Sequence, residues 1–101
     1  MAPDKPDRSQ ILVTLRELKP MLREKYGVTR LGIFGSVARN QATESSDVDI
    51  VIETERPNLF RMVHLKEELE TALNKPVDLI RYRNRMNSHL KHRIEKEAVY
   101  V

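Results

Sequence analysis

The stretch Phe34–Glu53, FGSVARNQATESSDVDIVIE, decides how this chain is read. Its last seven residues alternate along a strand: Val48, Ile50 and Ile52 share one face, and Asp47, Asp49, Val51 and Glu53 the other. Val51 implies that the second face is also covered further along. Carboxylates at i and i+2 of a strand project the same way, with Cα atoms roughly 6.5–7 Å apart, so Asp47 and Asp49 can converge on a shared cation or cation pair. Buried without a partner they would be costly. An Asx-type turn at Ser46-Asp47 is the plainer alternative. At the front of the stretch, Gly35 closes an apolar run and Ser36 follows. A glycine there lets backbone approach a ligand closely. N–H groups at a helix start can then cradle phosphate oxygens, and Ser36 adds a hydroxyl donor. Arg39, one helical turn on, can reach the same phosphates or pin a carboxylate.

The flanking sequence supplies the scaffold. Residues 28–35, VTRLGIFG, read as a buried strand. Before them Ile11, Leu12, Leu15, Leu18, Met21 and Leu22 recur at helical steps, with Asp7 or Ser9 to cap the start and Gly27 to stop it. Pro20 inside that pattern predicts a kink or a split-off last turn. After the stretch, Leu59–Leu73 form a second helix with Val63, Leu65, Leu69, Ala72 and Leu73 as its apolar stripe. Val77–Tyr82 is a third short strand carrying Asp78, and from Ser88 the chain is helical again on Leu90, Ile94 and Ala98. If the Asp78 strand pairs with the Asp49 strand, three carboxylates join one cluster, and without a metal their mutual repulsion raises pKa values. The order predicts an α/β (α+β) fold, a mixed sheet of about three to four strands flanked by helices.

Composition bounds the rest. The 101 residues suit a single domain over residues 8–101 behind a disordered lead-in over residues 1–7. There is no Cys, which removes disulfides, thiolate metal sites and thiol catalysis. No run approaches a membrane span, and the polar, acid-containing start is unlike a secretory signal, so a cytoplasmic protein is expected. Residues 1–80 hold 12 Lys and Arg against 13 Asp and Glu, whereas residues 81–101 hold 6 against 2. Within that C-terminal basic segment Arg81, Arg83, Arg85, Lys91 and Arg93 suit a docking surface for a partner, a triphosphate or RNA, or a solvated helix and loop, about equally. Apart from Tyr82 it carries no aromatic platform, so direct nucleic-acid binding is not expected. His89 and His92 lack a further ligand nearby and read, like His64, as surface residues. No G-x-x-x-x-G-K-[ST] loop occurs. A phosphate cradle after one strand, D-x-D on the next and a third carboxylate on another suit metal-assisted in-line displacement at phosphorus.

These residues resemble the nucleotidyltransferase superfamily of DNA polymerase β and, more closely, the small prokaryotic minimal nucleotidyltransferase (MNT) proteins. The family signature G-S-x-A-R-G…S-D-x-D-x-x-V is similar to Gly35-Ser36-Val37-Ala38-Arg39-Asn40 and Ser46-Asp47-Val48-Asp49-Ile50-Val51, and VDLI at 77–80 stands where the family has its third carboxylate, Asp78. Asn40 departs from the usual Gly. The resemblance implies the polymerase β-like nucleotidyltransferase fold. It implies Asp47, Asp49 and Asp78 as catalytic residues and ligands of two Mg²⁺, and Gly35 and Ser36, with Arg39, as nucleotide-binding residues. It further implies transfer of AMP from ATP to a hydroxyl, with a tyrosine of a HEPN-domain toxin as acceptor, the chain acting as antitoxin of a HEPN/MNT pair. A binding-only antitoxin and a small-molecule nucleotidyltransferase are the alternatives. The size of the chain bears on this independently. Once the site elements are counted, about one helix remains, too little for an acceptor domain, so if the chain is an active enzyme a partner chain is expected to bring the acceptor.

Overall fold

A computed structural model describes residues 5–101 of the chain. Its elements are, in order, α1 (Arg8–Tyr26), β1 (Val28–Phe34), α2 (Gly35–Ala38), β2 (Val48–Thr54), α3 (Leu59–Leu73), β3 (Val77–Arg81), α4 (Ser88–Glu97) and β4 (Val99–Tyr100). The sheet order is β3-β2-β1-β4. The β2–β3 pair is parallel, and β1 runs antiparallel to both β2 and β4. The α+β class and the mixed four-stranded sheet agree with the sequence expectation. The two-residue β4 is the strand that periodicity missed, because two residues carry no period.

Each helix boundary follows from local chemistry. The Asp7 side chain accepts from Gln10 N–H at 3.1 Å and caps α1. Gly27, at φ 69°, ends it in the left-handed conformation, its N–H donating to the Arg23 and Leu22 carbonyls. Contrary to the expectation of a split, α1 runs on through Pro20. Pro20 and Arg16 are both exposed, so the Arg16 carbonyl that loses its intrahelical donor faces water. Asn58 caps α3 and Asn87 caps α4, each through its side-chain oxygen. Residues 1–4 of the expected lead-in lie outside the described residues; of the other three, Pro6 is buried and Asp7 is the cap.

Two layers of helix sandwich the sheet. On one face α1 and α3 bury Leu15, Leu22, Leu65 and Leu69 against Leu31, Ile33, Val48, Ile50 and Ile52. Each fully buried leucine is worth roughly 1.5–3 kcal/mol. On the other face α4 lays Ile94 on Phe34 and Val51, with Leu90 and Ala98 beside them. Val51 thus has the cover that its position implied. The α3 stripe needs two corrections, the first being that Ala72 is exposed. The second is that Val63 is 47% exposed, and Met62 packs against the core instead. Leu59 and Phe60 at the start of α3 are also exposed.

Candidate active site

The parallel register of β2 and β3 sets Asp49 directly opposite Asp78, as Val48 is opposite Val77. Alternation then fixes their side. Val48 and Val77 point into the α1/α3 core, so both carboxylates point to the α4 face, at the strand ends where β1 hands over to α2. Asp49 is half-buried, whereas Asp47 and Asp78 are exposed. Asp47 lies one residue before β2, after a turn closed by Thr43 N–H to Ser46 Oγ at 2.9 Å and Ser46 N–H to the Thr43 carbonyl at 3.0 Å. The turn is thus made without an Asx cap from Asp47.

Electrostatics tie the acids together. Burial pushes the Asp49 carboxyl above the usual carboxylate range, and the neighbouring Asp78 charge pushes further, with a smaller push from Asp47. The Arg93 and Arg39 guanidinium groups act against that push. Among the described residues no three His, Asp or Glu side chains form a finished metal-ligand set. The donors are all carboxylate oxygens, the chemistry that fits a hard divalent cation such as Mg²⁺. Asp49 and Asp78 are the pair that the fold holds together.

Gly35 joins the acids to the neighbouring loop. Its φ is +71°, a conformation that side chains disfavour. A Cβ on Gly35 would overlap Oδ2 of Asp49 and lie 3.1 Å from its Cγ. The glycine that suggested close approach by a ligand therefore makes room first for the Asp49 carboxylate. After it, α2 makes one short turn, and Ser36 gives its carbonyl to Gln41 N–H at 2.8 Å. Asn40 adopts φ 60°, the left-handed region that Asn tolerates, so the turn keeps its shape where the signature has Gly.

One residue of the site, Glu97, was not singled out in the sequence, and Arg93 was legible only as part of the basic segment. Phe34 occupies the N-cap position of α2 and has no side-chain oxygen to offer. The open donor is satisfied across the fold by Glu97 of α4, whose Oε1 accepts from Gly35 N–H at 3.2 Å and from Arg39 at 2.9 Å. Arg93, one turn earlier on α4, reaches the same oxygen at 3.9 Å. The i, i+4 spacing of Arg93 and Glu97 was visible, but nothing local links it to a glycine 62 residues away. Of the other basic residues between 81 and 93, Arg83 and Arg85 are exposed, and Lys91 stands over the Tyr82 ring at 5.9 Å. His64, His89 and His92 are all exposed, as expected.

In sequence and in fold the chain is similar to known proteins. The family model "Polymerase beta, Nucleotidyltransferase" matches residues 16–101. The protein adenylyltransferase MntA of Thermococcus cleftensis is 38% identical over 98 residues, covering 89% of this chain and 98% of that one. The protein MJ0435 of Methanocaldococcus jannaschii is 48% identical over 87 residues, covering 85% and 91%. A solved structure designated a minimal nucleotidyltransferase superposes with a TM-score of 0.76 at 33% identity, covering 93% of this chain and 95% of that one. At 18% identity, and so for the fold alone, the MNT antitoxin in complex with a tri-AMPylated Shewanella oneidensis HEPN toxin superposes with a TM-score of 0.66, covering 89% and 70%. A family match over most of the length, relatives above 30% identity and the shared fold agree with the signature residues: the chain belongs to the polymerase β nucleotidyltransferase family.

Proposed function

We propose that this chain transfers AMP from ATP to a tyrosine hydroxyl of a partner HEPN-domain toxin and acts in that way as its antitoxin. The observation that carries the reading is the fusion of two half-sites: Asp49 stands opposite Asp78 and also fills the space that a Gly35 side chain would take. Metal-holding acids and phosphate-holding loop are thereby one construction. Relatives support the substrate and the partner, since one is named a protein adenylyltransferase and a structural neighbour is an MNT antitoxin with an AMPylated HEPN toxin. A further neighbour is a toxin–antitoxin complex with AMP-PNP. The setting we assign is the cytoplasm; no helix among the described residues is long and apolar enough to cross a membrane.

In this reading the loop at Gly35 and Ser36, with Arg39, holds the β- and γ-phosphates. Asp47, Asp49 and Asp78 hold two Mg²⁺, which when bound neutralise phosphate charge and lower the barrier to displacement. The acceptor oxygen bonds to the α-phosphorus while the bond from that phosphorus to the bridging oxygen breaks, and pyrophosphate leaves. Asp78, the most outward of the strand acids, helps to draw the proton from the hydroxyl. The test is incubation with ATP labelled at the α-phosphate, Mg²⁺ and the protein encoded beside this one. Label on that protein, lost with Asp47→Ala or Asp49→Ala, is the expected result. Neutralisation that survives both substitutions without label would establish a binding-only antitoxin instead.

A further inference from the structure

One oxygen, Glu97 Oε1, gathers Gly35 N–H at 3.2 Å, the Arg39 guanidinium at 2.9 Å and the Arg93 guanidinium at 3.9 Å. The first two are the groups that the signature assigns to phosphates. The third belongs to no signature and comes from the opposite layer of the fold. Its distance to Glu97 is too long for a strong hydrogen bond, and its side chain remains 41% exposed. Arg93 therefore has donors left to give. Its charge also acts against the upward push on the Asp49 carboxyl. Arg39, whose Nε donates to Gln41 at 3.1 Å, is similarly exposed at 40%. Two guanidinium groups thus gather at a loop N–H, with one carboxylate oxygen hydrogen-bonded to Gly35 and Arg39 and ion-paired with Arg93.

We propose that Arg93 binds the triphosphate together with Arg39, and that Glu97 is the positioning residue that aims both guanidinium groups. This rests on the nucleotidyltransferase reading of the same site. A planar guanidinium contacts two phosphate oxygens at once. Paired arginines balance the charge of the β- and γ-phosphates. Glu97 itself makes no contact with nucleotide. It restrains two long side chains whose freedom would otherwise be lost on binding.

Binding of MgATP and of magnesium pyrophosphate to the intact chain tests this by calorimetry, with the melting temperature of each variant measured alongside. Arg93→Ala is expected to weaken both ligands about tenfold, the loss expected for one charge-assisted hydrogen bond, with an unchanged melting temperature. Arg93→Lys recovers part of the loss. Glu97→Ala weakens both ligands similarly, whereas Glu97→Gln, which keeps an oxygen acceptor, stays nearer the wild type. Should Glu97→Ala fail to fold, Glu97→Gln against Arg93→Ala still decides the matter. Arg93→Ala binding MgATP as tightly as wild type overturns the inference and leaves the nucleotidyltransferase reading standing. Wild-type protein that binds no MgATP at all overturns both.

Discussion

Gly35→Ala probes the join between the two half-sites most directly. The substitution destabilises in two ways. Holding a non-glycine residue at φ +71° costs roughly 1–2 kcal/mol. The new methyl also overlaps Asp49 Oδ2 and sits 3.1 Å from Cγ, so the carboxylate must leave its place. An off-rotamer side chain adds about 0.5–1.5 kcal/mol. For a domain of this size each 1 kcal/mol lowers the melting temperature by about 4–8 °C, so a fall on the order of 10 °C is expected. Asp49→Ala removes Oδ2 and Cγ but keeps Cβ, which lies at an ordinary 3.4 Å from where the new methyl would sit. In that background Gly35→Ala should carry only the backbone cost. Urea unfolding of the four proteins closes a double-mutant cycle, with an expected coupling of at least about 0.5 kcal/mol. Additivity, with the same penalty in both backgrounds, refutes the claim that Asp49 occupies the space of the missing side chain.

Mg²⁺ at ten times its dissociation constant should stabilise the wild-type chain by about 1.4 kcal/mol; scanning calorimetry with and without EDTA checks this, and Asp49→Asn should abolish the response. Asn40→Gly should change stability by less than about 1 kcal/mol in urea titrations, because φ is 60° already and the turn geometry is kept. The hydrogen bond from Tyr82 to Glu95, 2.6 Å, pushes the phenol up to about 12, and burial raises Tyr26 and Tyr100 as well. Tyrosinate absorbance should therefore appear above pH 10, and Glu95→Gln should return one of the three phenols toward 10. The sign follows from linkage: the folded state holds the Tyr82 proton more tightly. That contribution is complete below pH 10 and is lost as pH rises toward 12.

The alternation of Val48–Ile52 placed β2, and the D-x-D within it placed two acids on a face, without any coordinates. What periodicity could not supply was the pairing of strands. Asp78 joins Asp49 only because β3 lies parallel to β2 in that register, which is a property of the α3 crossover and not of the VDLI segment. Gly35 was legible as special, yet for a different reason from the one the fold gives it. A strand-end glycine looks the same whether a phosphate or a neighbouring carboxylate fills its space. Glu97 was invisible because its partners are distant in sequence and because a carboxylate near the end of a helix ordinarily faces water. Pro20 misled in the opposite direction: on an exposed helix face, water takes the orphan carbonyl and the helix carries on.

The two faces of the sheet are unequally held. The α1/α3 side rests on a broad apolar core, whereas α4 rests on a smaller one, Phe34, Val51 and Ile94 with partly buried neighbours such as Leu90 and Ala98, and on the Glu97 bonds to Gly35 and Arg39. Elements with few buried contacts open locally at lower free energy than the rest of a fold. α4 is thus the part of the molecule that should lift while the sheet stays intact, taking Arg93 and Glu97 with it and leaving the acids of β2 and β3 where they are. Amide exchange then separates two clocks, a fast one for α4 and a slow one for β1 and β2. A ligand that bridges both layers should slow the first toward the second.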